Sequence, residues 1–209
     1  YISSNRSESL LNFTINNKSA VYVGRDSYYN GVLTAITSEG QNIILGDRGL
    51  FSFGITIRTA DPHLLYDIET RNRINPSKSV VIGDHVWIGQ NVHVLKGTHV
   101  GSGAIIGVAA VVSGKKIGSN TVWAGNPSRK LKSGVFFDRR CVHQWDGEQT
   151  LKNNHSDDET TVFGKERKNI IDAYKLCDEL YKARTAEEKL SIIKRNLVDN
   201  KAKDRFYIE

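Results

Sequence analysis

Aliphatic side chains recur at every sixth position from Ile82 to Val112: Ile82, Ile88, Val94, Val100, Ile106 and Val112. Glycine directly follows four of them, at Gly83, Gly89, Gly101 and Gly107. A second column, Val86, Val92, Thr98, Ala104 and Ala110, is small or β-branched throughout. An α-helix repeats near 3.6 residues and a strand near two, so neither accounts for a period of six. A short strand followed by a corner does. Each sixth residue then turns into a shared interior, the second column fills its narrow parts, and stacked coils bury what one coil cannot. The pattern predicts a parallel β-helix.

Outside these repeats the pattern changes twice. Up to about Thr59, β-formers are punctuated by glycine, as in Val21-Tyr22-Val23-Gly24 and Ile43-Ile44-Leu45-Gly46, and Leu45, Phe51 and Ile57 again stand six apart. This predicts irregular early coils. Ala60 to Ser79 breaks the phase with prolines and charges and reads as a loop thrown out from the coil. From about Thr161 the spacing becomes helical. Ile170, Tyr174, Cys177 and Tyr181 mark one face, and a second helix opens on the capping-box pattern Thr185-x-x-Glu188 and carries Leu190, Ile193 and Leu197. The expected organisation is mainly β: a β-helix domain over 1–135 with the inserted loop 60–79, a linker over 136–160 with a polar hinge at His155–Glu159, and an α-helical extension over 161–209. Open ends of a stacked coil need covering, and the helical extension is the expected cap.

Composition narrows the classes. At 209 residues and 39% hydrophobic, the chain can bury one core and carry an appendage. No apolar stretch approaches the roughly 20 residues needed to cross a bilayer, and no charged-then-apolar leader is present. The chain begins at Tyr1 rather than methionine, which leaves room for a preceding segment. Cys141 and Cys177 form no CxxC pair and read as reduced thiols. The net charge of +6, with clusters at Lys115-Lys116, Arg129-Lys130-Lys132 and Arg139-Arg140, favours an anionic partner, although an ordinary solvated face would look the same. Nucleic acid is not the expected partner, because no recognition-helix, zinc-finger or RNA-binding signature accompanies the charge.

Three stretches carry a family resemblance. Gly83-Asp84-His85-Val86-Trp87-Ile88-Gly89, the coil Ile106–Val112, and Ala124-Gly125-Asn126-Pro127-Ser128-Arg129-Lys130 resemble the hexapeptide-repeat acyltransferases. The loop Asp61-Pro62-His63-Leu64-Leu65-Tyr66-Asp67, with Ile74-Asn75-Pro76, resembles their capsular-polysaccharide O-acetyltransferase branch. The likeness runs from about Gly46 to Lys130. It implies a left-handed triangular β-helix and homotrimers with active sites between neighbouring coils. It further implies acetyl transfer from acetyl-CoA to a hydroxyl of an acidic capsular polysaccharide, such as a sialic acid polymer. The implied location is the cytoplasm, or the inner membrane face beside the capsule-synthesis machinery.

An alcohol is a poor nucleophile at neutral pH, so its attack on a thioester needs a positioned base, and imidazole exchanges its proton in the right range. On the resemblance, His63 is that catalytic base, with Asp61 or Asp67 to orient its ring. Trp87 precedes the inward Ile88, so strand alternation turns its indole outward, to shape the acetyl pocket or to pack a trimer. The same alternation places His93 and His99 outward. The cofactor residues implied are Ala109, whose turn would offer backbone amides to the pantetheine, Lys115, Arg129 and Lys130 for the phosphates, and Trp123 and Pro127 around the turn bordering the adenine. Ser113-Gly114-Lys115-Lys116-Ile117 departs from the Lys-Asp-Ile-Pro type of turn that many relatives carry, which weakens the phosphate contacts. Two rival readings are a noncatalytic β-solenoid that binds acidic glycans and a metal-dependent β-helix hydratase. The second needs converging histidines, and residues six apart lie on different faces, so His85, His93 and His99 cannot meet within one chain; contributions across a trimer interface stay geometrically open, but no metal is expected.

Overall fold

The computed structural model describes residues 1–5 and 11–209. Short strands stack into three parallel sheets, the faces of a triangular left-handed β-helix. The helix-packed face stacks Val21–Val23, Ile43–Leu45, Val80–Ile82, His99–Val100 and Lys116–Ile117. The tryptophan face stacks Tyr28–Tyr29, Leu50–Phe51, Trp87–Ile88, Ile105–Ile106 and Thr121–Ala124, and the third face stacks Leu11–Ile15, Leu33–Thr37, Ile55–Arg58, His93–Val94 and Val111–Val112. All six aliphatics of the sixth-position column and all five of the second column are buried in one continuous core. The shape follows from the repeat.

Register makes the coil lengths legible. Asp84 bonds Ser102 across one regular coil of 18 residues, whereas Ser27 and Gly49 sit 22 apart. The early coils are therefore complete and only longer, not irregular as expected, and their wider interior takes the stacked rings of Tyr29 and Phe51. Asp47 and Asp84 pair at a separation of 37, because the loop leaves at the corner between the third and helix-packed faces. Pairing then resumes in phase: Ile44 lies beside Val81, and Val81 beside His99.

The glycines that follow the inward aliphatics have a steric cause. A Cβ on Gly46 would lie 2.5 Å from the carbonyl carbon of Gly83, and one on Gly83 would lie 2.9 Å from the amide nitrogen of Ser102. Successive coils approach too closely at this corner for any side chain.

The C-terminal segment comprises α1 (Gly147–Lys152), α2 (Ala173–Lys182), α3 (Ala186–Ile193) and a π-helical turn, Lys194–Val198. None of these is long and apolar enough to cross a membrane. The helices do not sit over the open end of the coil, as a cap would. Instead α2 and α3 lie along its side, where Leu176, Cys177, Leu180, Ile193 and Leu197 bury the outward residues Tyr22, Ile44 and Val81. An outward apolar row on a β-helix face is itself a surface to be covered, and it takes the helices. The buried stripe of α2 is thus Leu176, Cys177 and Leu180, while Tyr174 and Tyr181 face solvent at 57% and 56% exposure. At the head of α3, Thr185 accepts from the Glu188 amide as expected, but the Glu188 carboxylate reaches back to Arg184, one residue before the box position. At the last coil, Arg129–Ser133 folds back antiparallel on Thr121–Ala124.

Beyond the helices the chain returns to the coil. Arg205, 2% exposed, inserts between the stacked corner aspartates. Its Nε and Nη2 donate to the two Asp84 carboxylate oxygens, both at 2.8 Å; Nη2 also reaches Asp47 Oδ2 at 3.1 Å, and Nη1 donates to the Leu197 and Asn200 carbonyls. Four hydrogen bonds and an ion pair thus hold the guanidinium.

Candidate active site

The loop that carries His63 is braced from both sides of its corner. Below it, Glu39 takes both arms of the Arg73 guanidinium (2.6 and 3.0 Å) and the Ser77 hydroxyl, and these donors hold the Glu39 carboxyl down at about 2. Above it, Lys96 Nζ bonds Asp61 Oδ2 at 2.5 Å. Inside it, the Asn75 amide donates to Asp61 Oδ2 and to the His63 carbonyl (2.8 Å) and accepts from the Leu65 amide (2.9 Å). The bracing leaves the His63 side chain exposed, with no bonding partner among the described residues.

Neither expected orienting carboxylate touches that ring. Asp61 is taken by Lys96 and Asn75, with Lys96 foremost in holding its carboxyl below the usual range. Asp67 closes a turn, accepting from the Thr70 amide (2.8 Å), the Thr70 hydroxyl and the Glu69 amide, which depress its carboxyl in turn. Both acids build the loop.

Trp87 faces outward as expected, 39% exposed, in an apolar ladder with Leu50 and Ile105 that leaves the tryptophan face partly open. Phe137 fixes one side of it: its ring lies 5.7 Å from the indole and stacks 4.1 Å from His85, whose Nε2 donates to the Phe137 carbonyl at 3.1 Å. That bond requires the proton on Nε2, and burial lowers the His85 pKa, so the ring is neutral. Phe137 carried no signal in the repeat; the only hint was the apolar triplet Val135-Phe136-Phe137 in a polar stretch. The tryptophan face lies opposite the corner from which the loop departs. One chain therefore keeps His63 and Trp87 on opposite sides of its coil.

The expected cofactor residues gather around the last coil with mixed fortunes. The Ser128 amide donates to the Val111 carbonyl and the Val111 amide to the Gly125 carbonyl, so the turn holding Pro127 rests one coil above Ala109. The Ala109 amide is already spent, donating to the Gln90 carbonyl at 2.8 Å, so it is not free for a pantetheine as the sequence suggested. Lys115 donates to the Ser128 carbonyl at 2.8 Å and lies 5.6 Å above the Trp123 ring. Trp123 points inward against the core, and its Nε1 bonds Thr121. Pro127, Arg129 and Lys130 are exposed, and both cations are unpaired among the described residues.

These geometries invite comparison with known proteins. Residues 79–114 match the family model for the bacterial transferase hexapeptide, six repeats. The match is confined to the regular coils of the β-helix. The chain is 41% identical over 58 residues to the polysialic acid O-acetyltransferase of Neisseria meningitidis, covering 28% of this chain and 26% of that one. It is 34% identical over 121 residues to the polysialic acid O-acetyltransferase of Escherichia coli O1:K1 / APEC, covering 58% and 39%. The match thus spans well under half the length of either curated relative. The crystallographic structure of the polysialic acid O-acetyltransferase OatWY superposes with a TM-score of 0.53 at 26% identity over 69% of each chain.

The three histidines of this hexapeptide-repeat coil lie on separate sides of it. His85 is buried at a corner and His93 is exposed on the third face, whereas His99 turns outward as expected yet is only 4% exposed, because Tyr174 of α2 covers it with ring centroids 4.5 Å apart. Burial, then the neighbouring Lys116, pulls the His99 imidazole down to about 4. The unfolded chain protonates it near pH 6.5, so between there and about 4 the unfolded state binds more protons and stability falls as pH falls. The slope it adds is at most about 1.4 kcal/mol per pH unit. Between pH 7 and 5 the urea midpoint of the protein is expected to drop, and that drop is expected to shrink in His99→Gln. Identical slopes would clear His99 of the effect.

Proposed function

We propose that this protein is an O-acetyltransferase that moves an acetyl group from acetyl-CoA to a hydroxyl of an acidic capsular polysaccharide, a sialic acid polymer. The observation that carries it is the His63 loop: a multiply anchored arm, projecting from a hexapeptide-repeat coil, that holds out to solvent an imidazole with no partner among the described residues. The relatedness to two polysialic acid O-acetyltransferases supports the substrate class, and the net charge of +6 suits a polyanion.

The chemistry divides between chains. His63 on one coil serves the Trp87 face of a neighbour, which is the arrangement a homotrimer supplies and which the partly open ladder Leu50, Trp87, Ile105 favours. Bound acetyl-CoA supplies the thioester carbonyl. His63 takes the proton of the sugar hydroxyl as its oxygen attacks, and returns a proton to the departing thiolate, so the imidazole ends as it began. Trp87 walls the acetyl group and offers its indole N–H. Arg129 and Lys130, exposed and unpaired among the described residues, suit the phosphates of the donor, whereas Lys115 is engaged with Ser128 and Trp123.

Incubation with acetyl-CoA and polysialic acid, read as thiol release, tests the reading. Release should depend on the polymer, and the KM for polymer should rise with salt as steering is screened. If thiol release stays at background on every acidic capsular glycan tried, the acetyltransferase reading fails.

A further inference from the structure

A second cleft, of about 460 Å³, lies beside the foot of the loop. Its floor is the corner after the third face, where Gln41, Ser79, Gly97 and Gly114 come from four successive coils, about 4.8 Å apart. Its wall is α2, which offers the exposed rings of Tyr174 and Tyr181. Seven residues of helix separate them, or about 10 Å. Glycine at two floor positions lets a ligand come close to the backbone.

Polar groups aim into this space without partners. His99 lines it, 96% of its surface already covered, and no group among the described residues bonds its ring nitrogens. The Gln41 amide nitrogen and the Lys78 ammonium are likewise unpartnered among the described residues. Lys116 adds a second cation 4.9 Å from the Tyr174 ring, while the acid in the wall, Asp178, is neutralised by Lys182 at 2.7 Å.

The combination selects a ligand class. Two flat rings suit the apolar faces of sugar rings, an amide and a neutral imidazole suit hydroxyls, and two cations beside one neutralised acid suit carboxylates. The cleft also begins at Ser77–Ser79, two residues beyond the Asn75 that bonds His63, so a chain lying in it continues toward the loop.

We propose that this cleft is a secondary subsite for the acidic polysaccharide acceptor, in which Tyr174, Tyr181, His99 and Lys78 hold a stretch of polymer remote from the sugar being modified. The proposal rests on the acceptor reading above. Its test is the double variant Tyr174→Ala/Tyr181→Ala, with two readouts. The first is direct binding of a sialic acid oligomer of about ten residues; the second is the ratio of kcat/KM for that oligomer to kcat/KM for a two-residue acceptor. Each tyrosine is expected to carry a factor of about three to ten, so affinity and length preference should both fall by about tenfold or more. Because Tyr174 also covers His99, the midpoint is expected to shift, and a cooperative urea transition confirms folding. Should the double variant fail to fold, Lys78→Ala is expected to lower both readouts about threefold.

Retention of wild-type affinity and length preference in a folded variant overturns the subsite. So does a variant whose KM rises for acetyl-CoA and not for the oligomer, because the cleft then belongs to the donor. If wild type binds the oligomer through these residues but releases no thiol, the subsite stands and the acetyltransferase reading falls. Wild type that neither binds nor releases thiol overturns both.

Discussion

Alanine at His63 is expected to lower kcat about 10²–10⁴-fold, the range for loss of a general base, while the unfolding midpoint stays at its wild-type value. The separation of the two effects comes from where the loop gets its rigidity. Asn75 grips the His63 carbonyl, which alanine keeps, and the brackets from Glu39 and Lys96 never involve the imidazole. Affinity for CoA should survive as well, since the expected phosphate contacts lie at the last coil. A variant that retains most of its kcat would remove His63 from the mechanism. Asn75→Ala makes the complementary case: the imidazole remains, but its loop loses an internal clamp, and kcat should fall with the base still present.

Arg205→Met is the change expected to cost most in stability, about 3–5 kcal/mol, the usual result of removing one partner from a buried ion pair. Two carboxylates depend on this guanidinium, Asp84 almost wholly buried and Asp47 nearly so; among the described residues the only other cation on Asp47 is the half-exposed Arg25 at 3.2 Å. Urea unfolding with tryptophan fluorescence measures the loss. Adding Asp84→Asn should return part of it, because an amide still accepts the Asp47 amide proton without carrying an uncompensated charge. An Arg205→Met protein that unfolds at the wild-type midpoint would show that the corner tolerates its acids unpaired.

The coil was legible because its cause is local and periodic. Each sixth residue meets the same geometry, so Ile82, Ile88 and Val94 declare themselves without any knowledge of their neighbours. The loop was legible for the opposite reason: residues 60–79 obey no period. What the pattern could not convey was the pairing of distant segments. The row Tyr22, Ile44, Val81 looked like one more set of β-formers, and nothing local marked it as the seat of α2 or turned the Leu176–Leu180 stripe inward in place of Tyr174 and Tyr181. His99 was placed on the right side of its strand but in the wrong environment, since the ring that covers it comes from Tyr174. Ala109 illustrates a different gap: the turn was recognised, yet whether an amide is free depends on the carbonyl of Gln90 in the coil below. Asp61 and Asp67 were eligible by proximity in sequence, and three-dimensional bonding assigned them to the loop instead.

The bond between Asp84 and Arg205 spans 121 positions of the chain, and that span has a temporal meaning. On the ribosome, at about 5–20 residues per second, both corner aspartates emerge well before the guanidinium that neutralises them. The nascent coil therefore stacks its early turns around an acid, Asp84, that awaits its counter-charge for several seconds. A product released before Arg205 is added would keep Arg25 on Asp47 but would carry Asp84 in its fold without the cation that neutralises it.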